Sequence, residues 1–192
     1  MPDETSQSKF QKDLEYVNQI TQELLRVSDR ARAVLLGAEI DRYLKQMLEA
    51  HFLPKARKKE KLLDESGPLG TFEARIEVAY RLGLLRPEWY HDLQVISEIR
   101  DAFAHGLVGM NLSTSPAREL CANLICGKKW IEHGRKLDPN AEDNPQTRFV
   151  ASGVVLLGHL CVVQTELKRV PETWRSYRED AVAIHGNDDL AL

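Results

Sequence analysis

The chain has 192 residues, enough for one domain with tails and too few for two ordinary domains. At 43% hydrophobic residues it can bury a core, and its net charge of −3 excludes a protein that coats nucleic acid by bulk positive charge, while leaving room for a local basic patch. The three cysteines, Cys121, Cys126 and Cys161, form neither an even framework nor a Cys-x-x-Cys pair, which predicts buried thiols in a reducing compartment.

Residues 1–9 are polar and carry no apolar core, so a flexible N-terminus without a secretory signal is expected, and with it a cytoplasmic protein. Residues 10–171 read as one helical domain. No run alternates Val, Ile or Thr between hairpin turn signals, and helical periodicity continues throughout. The first helix is predicted over Phe10–Val27, with Leu14, Val17, Ile20, Leu24 and Val27 on one stripe. Asp29 is the expected N-cap of a second, Arg30–Leu53, which Pro54 follows.

Ser66-Gly67-Pro68-Leu69-Gly70 reads as a structural turn. Proline presets φ, the glycines permit tight or left-handed geometry, and Thr71 can cap a third helix carrying Phe72, Ile76, Ala79 and Tyr80. No Lys-Ser/Thr follows the glycines, so this is no nucleotide-binding loop. Pro87 starts a fourth helix that runs to His105, and a loop covers Leu107–Ser115. A fifth helix is predicted over Pro116–His133 and a last core helix over Thr147–Val170, stopped by Pro171. The latter contains the most apolar stretch, Phe149–Val163, which is short for a membrane span and reads as a buried core helix. Residues 172–192 form a polar tail in which Trp174 and Tyr177 can dock. The expected fold class is all-α, a single-domain helical bundle.

The fourth helix holds the candidate chemistry. On an ideal helix Trp89, Leu93, Ile96, Ile99 and Phe103 form its core stripe, and Arg100 projects within that face. A guanidinium there needs a partner. Asp41, at the edge of the second helix's apolar arc of Leu36, Ile40, Leu44, Met47 and Leu48, is the expected one, unless Arg100 reaches the rim of a groove beside it. Arg100, Asp101 and His105 are also the residue types that bind and cleave an RNA phosphodiester. Arginine holds the phosphate, histidine moves protons, and Asp101, four residues before His105, can orient it. His105 points roughly 140° away from Arg100, so convergence needs a distorted helix end or a second chain, which makes a homodimer the expected working form. The same residues equally suit a structural ion pair followed by a helix C-terminus at Gly106.

Lys55, Arg57, Lys58, Lys59 and Lys61 form the densest basic run. Lys128 and Lys129, with Arg135 and Lys136, form a second that includes Trp130 and His133. Flanking the Arg100 cleft they would guide an RNA backbone; as solvated loops they would do nothing specific. Cys121, Cys126 and His133 match no zinc spacing, so no metal is expected, and no cofactor motif is present. His159, amid Leu156, Leu157, Leu160 and Cys161, reads as a core histidine with one hydrogen bond.

The Arg100-polar-x-x-x-His105 string near the end of a core helix resembles the HEPN superfamily, whose active members are metal-independent endoribonucleases at a dimer interface. A second resemblance rests on more residues. Ser66-Gly-Pro-Leu-Gly-Thr-Phe-Glu-Ala-Arg-Ile, Leu82-Gly-Leu-Leu and Trp89-Tyr90-x-Asp92-Leu93, with Asp41 after an apolar run, look like the mannitol-operon repressor family over about Val34–Gly106. That resemblance implies a HEPN-type bundle and a transcriptional regulator. No helix-turn-helix signature is visible, so such a regulator would act through a protein or RNA partner rather than by reading DNA.

Overall fold

A computed structural model describes residues 4–53, 61–106 and 109–167. Seven helices account for the described secondary structure: α1 (Glu4–Leu24), α2 (Asp29–His51), α3 (Phe72–Arg81), α4 (Pro87–His105), α5 (Ala117–Ala122), α6 (Ile125–Gly134) and α7 (Pro145–Glu166). No strand occurs among the described residues, and the all-α expectation holds.

The helix starts follow from local chemistry. Ser28 caps α2 by accepting from the Ala31 amide, one residue before the expected cap at Asp29. Thr71 caps α3 through the Ala74 amide, as its position predicts. Asn144 caps α7 through the Thr147 amide at 2.9 Å, with Pro145 in the first turn. Each such cap satisfies one amide that the helix itself leaves open. Helix α1 begins at Glu4 rather than Phe10. Glu4, Gln7 and Lys9 are good helix formers, and no breaker stands between them and the apolar stripe. Leu14, expected on that stripe, is exposed, while Val17, Ile20 and Leu24 are buried.

Helix α7 lies at the centre and contacts α1, α2, α4, α5 and α6. By length and composition Pro145–Gln164 is apolar enough to cross a membrane. In the fold Phe149, Leu156, Leu157 and Leu160 are instead packed in the common core. Helices α2 and α4 pack directly, as their matching stripes require. Leu36, Ile40, Leu44 and Leu48 on α2, with Leu93, Ile96, Ile99 and Phe103 on α4, are fully buried. Burying each such side chain contributes on the order of 1.5–3 kcal/mol, before the entropy of ordering the chain.

The single helix expected over Pro116–His133 is two, broken at Asn123 and Leu124. The cause is Asp92, a fully buried carboxylate on α4. Its oxygens accept from the Ile125 and Cys126 amides, each at 2.8 Å, and from the Ser152 hydroxyl at 3.2 Å. Ser152 in turn accepts from the Gly127 amide at 2.7 Å. A carboxylate from one helix and a hydroxyl from another thus cap α6, where a negative charge also suits the helix dipole. At the far end of α4, the Arg30 guanidinium donates to the carbonyls of Phe103 and Gly106 and so holds the last turn.

Candidate functional site

The Arg100 site forms where α3 crosses the C-terminal half of α4. Gly37 on α2 makes room for it: a Cβ there would sit 2.7 Å from Arg100 Cδ, so the aliphatic stem lies directly on the α2 backbone. The stem leads the guanidinium outward, 5.2 Å from the centre of the Phe72 ring. Its Nε and Nη2 donate to Asp101 Oδ1 at 3.0 and 2.8 Å, and Nη2 lies 3.4 Å from Glu73 Oε1. Ser97 donates to that same Glu73 oxygen. Partial burial pushes the Glu73 carboxyl upward. The Ser97 hydrogen bond, a backbone hydrogen bond and the Arg100 charge outweigh it and hold the group below its ordinary value.

Beside Arg100, a cleft of about 170 Å³ is lined by Glu73, Ile76, Gln94, Ser97, Glu98 and Asp101. Three carboxylates thus line the cleft, and two of them already engage Arg100. The arrangement repels a phosphodiester and attracts a cationic surface.

Two expectations are corrected by this geometry. Asp41 pairs with Arg75, not Arg100. Arg75 Nη1 reaches both Asp41 oxygens at 2.6 and 2.7 Å, and Nη2 donates to the Leu63 and Gly70 carbonyls at 3.0 and 3.1 Å. Arg75 is buried at 4% exposure and clamps the glycine turn onto α2 and α3, a role that nothing in its local sequence announced. Second, Asp101 holds Arg100 rather than His105. His105 is exposed on the final turn of α4 and has no hydrogen bond or ion pair among the described residues. The stem's path past Gly37 delivers a permanent cation beside Asp101, which leaves that carboxylate committed.

The Gly67-Pro68-Leu69-Gly70 turn forms as expected, closed by Gly67 N–H to the Asp64 carbonyl at 2.8 Å and Leu69 N–H to the Leu62 carbonyl at 2.9 Å. The reason for glycine at position 67 is contact, not a left-handed φ. A Cβ there would fall 1.6 Å from the Lys61 carbonyl oxygen.

The second basic run does not gather at Arg100. Lys55, Arg57, Lys58 and Lys59 lie outside the described residues; Lys61 is exposed. Lys128 and Lys129 are exposed on α6, and Lys129 pairs at 2.9 Å with Glu88 on the first turn of α4. Glu88 and Asp101 stand toward opposite ends of that helix, roughly 20 Å apart along its axis. The three cysteines are buried and free, and burial pushes the thiols of Cys121 and Cys126 up to about 12, which makes them inert packing groups at neutral pH. His159 is partly buried, donates from Nδ1 to the Val155 carbonyl at 2.7 Å and lies 4.3 Å from the Trp89 ring.

Fold and site together define an all-helical protein with an acid-lined cleft. The sequence pattern of the mannitol repressor family (MtlR) matches residues 30–155, and the chain belongs to that family. Among solved structures it is similar to MtlR of the MtlR–HPr complex from Escherichia coli, with 14% identity over 77% of this chain and 99% of that one and a TM-score of 0.57. It is also similar to a possible transcriptional regulator, YggD, from Shigella flexneri 2a strain 2457T, with 15% identity, 79% and 98% coverage and a TM-score of 0.54. At these identities the likeness is one of fold. No curated protein matches the chain.

Proposed function

We propose that this chain is a cytoplasmic regulator that works by docking a protein partner of basic surface on the acidic α3–α4 face. The observation that carries the reading is the state of Arg100. Its guanidinium is spent on Asp101 and Glu73, and Glu98 adds a third carboxylate to the cleft. A phosphate would have to displace those carboxylates, whereas a lysine or arginine from a partner gains from them. The relative solved in complex with HPr supports partner binding as the way such a fold acts.

The test is a calorimetric titration with Escherichia coli HPr, using the wild type and the triple variant Glu73→Gln, Glu98→Gln, Asp101→Asn. Binding should be salt-sensitive and weaken at least tenfold in the triple variant. Unchanged affinity in that variant would remove the acidic face from the reading.

One observation favours a second reading, a HEPN-type endoribonuclease. His105 is exposed and, among the described residues, without a hydrogen bond or ion pair at the end of the helix that carries Arg100. Catalysis would require a homodimer in which one chain's His105 meets the other's Arg100. Cleavage of single-stranded RNA that persists in EDTA, leaves 2′,3′-cyclic phosphate ends and vanishes in His105→Ala would establish it and displace the docking reading.

A further inference from the structure

Helix α7 is apolar over most of its circumference, yet the described fold covers only one side of it. Within Pro145–Gln164 an 18-residue window has a mean hydropathy of 1.4 and is only 44% buried. A helix that apolar is normally covered all round. Its open side carries Ala151, Val154, Val155 and Gly158, each only partly buried, within about 100° of helix surface opposite Leu156, Leu157 and Leu160. A Cβ on Gly158 would meet nothing within 4 Å, so there is room for a large side chain against it. The open side runs into a groove of about 410 Å³ between α4, α6 and α7, walled by Trp89, Trp130, Val155 and His159. Trp130 is 61% exposed, although α6 already anchors itself through Cys126, Gly127 and Ile131. An apolar strip that ends at an exposed indole is a surface awaiting cover.

The chain itself supplies a segment that fits. Residues 168–192 follow α7 and lie outside the described residues. At roughly 100° per residue, Trp174, Tyr177, Ala181 and Ile184 share one face about 80° wide, while Glu172, Arg175, Ser176 and Glu179 fall opposite. Pro171 suits the first turn of a helix that begins there. The chain leaves α7 at Leu167, whose backbone is extended, so the connection to Pro171 has the short length that makes consecutive helices antiparallel neighbours. Both helices rise about 1.5 Å per residue, so a segment returning along α7 brings Tyr177 and Ala181 level with the turn that holds Val155 and His159. Asp180 borders the apolar face at that level. Arg86, which lines the groove without an ion pair among the described residues, offers it the opposite charge. Tethering also gives this segment an effective concentration of roughly millimolar, which favours it over a free second copy or a free partner.

We propose that residues 171–184 pack as a further helix antiparallel to α7, seating Tyr177 and Ala181 on Val155, Gly158 and the tryptophan-walled groove. A partner that uses this face must first displace the segment, so the contact is a built-in competitor for it. The proposal goes beyond the acidic-face reading and does not depend on it, because the groove and the acidic cleft share no lining residue.

The experiment times maleimide labelling of a cysteine placed in the groove of the full chain by Val155→Cys. The native thiols of Cys121, Cys126 and Cys161 stay silent, because all three are buried and burial raises their pKa. Labelling is compared in that chain alone, with Tyr177→Asp and Ala181→Asp added, and with Arg175→Ala added on the opposite face. The paired aspartates should speed labelling on the order of tenfold or more by releasing the segment. Arg175→Ala should leave the rate unchanged, and dilution of the protein should not alter the protection. Trp130→Cys provides a second reporter should Val155→Cys disturb the core, since Trp130 is largely exposed. The proposal is overturned if the paired aspartates leave the labelling rate unchanged or if Arg175→Ala speeds it equally. It is also overturned if protection disappears on dilution, which would place a second copy on the groove instead.

Discussion

Removing the Asp92 carboxylate is the sharpest test of how this fold is held together. Asp92 is fully buried and accepts from two amides of α6 and from Ser152. Asp92→Ala strands the Ile125 and Cys126 amides in a dry environment and removes the cap of α6. Hydrogen bonds to a charged group are worth about 1.5–3 kcal/mol each, and a lost cap about 1 kcal/mol, with overlap between the two. The loss should therefore be about 3–5 kcal/mol, a large part of the 5–15 kcal/mol typical of a domain. At about 2–4 °C per kcal/mol for a chain of this size, the midpoint falls by roughly 6–20 °C. Asp92→Asn keeps one carbonyl acceptor and turns a donor toward the other amide, so it should recover only part of the loss. Urea and thermal unfolding of the three proteins measure this. A loss under about 1 kcal/mol for Asp92→Ala, with an unchanged urea dependence, would refute the assignment of Asp92 as the α6 cap.

Arg75→Leu should cost about 2–4 kcal/mol by unfolding titration, since it abandons the Leu63 and Gly70 carbonyls as well as Asp41, and a cycle with Asp41→Leu should show coupling. The corresponding cycle of Asp41 with Arg100 should show none. Gly37→Ala should push the Arg100 stem off α2; pairing it with Arg100→Ala should relieve the clash, leaving stability within about 1 kcal/mol of Arg100→Ala alone. Asp143 should make stability fall in acid: the Arg148 hydrogen bond, opposed by partial burial, holds its carboxyl below the ordinary 3.8. The unfolded chain then binds the proton first, so this stability is present above pH 3.8 and is lost as pH falls through the lower folded value. Asp143→Asn should flatten that limb of the stability–pH curve.

The periodicity of apolar residues and the turn chemistry determined the all-α class by themselves. They also placed α4 at Pro87–His105 and the cap at Thr71, because those signals act within a turn or two of helix. The same local signals identified Arg100 as a cation on a core stripe that needed a carboxylate. They also set out the turn and motif residues that resemble the mannitol repressor family. Which carboxylate Arg100 meets was decided only when α3 packed beside α2 and α4, giving Asp41 to Arg75 and leaving Asp101 and Glu73 to Arg100. The break between α5 and α6 had the same kind of origin: nothing at Asn123 or Leu124 stops a helix, but Asp92, 33 residues from Ile125 in sequence, caps the amides that open there. The groove holding Trp89, Trp130 and His159 likewise exists only because α4, α6 and α7 converge. Side-chain pairing across helices depends on positions in space that no sequence spacing encodes, whereas helix formation depends on neighbours three and four residues away.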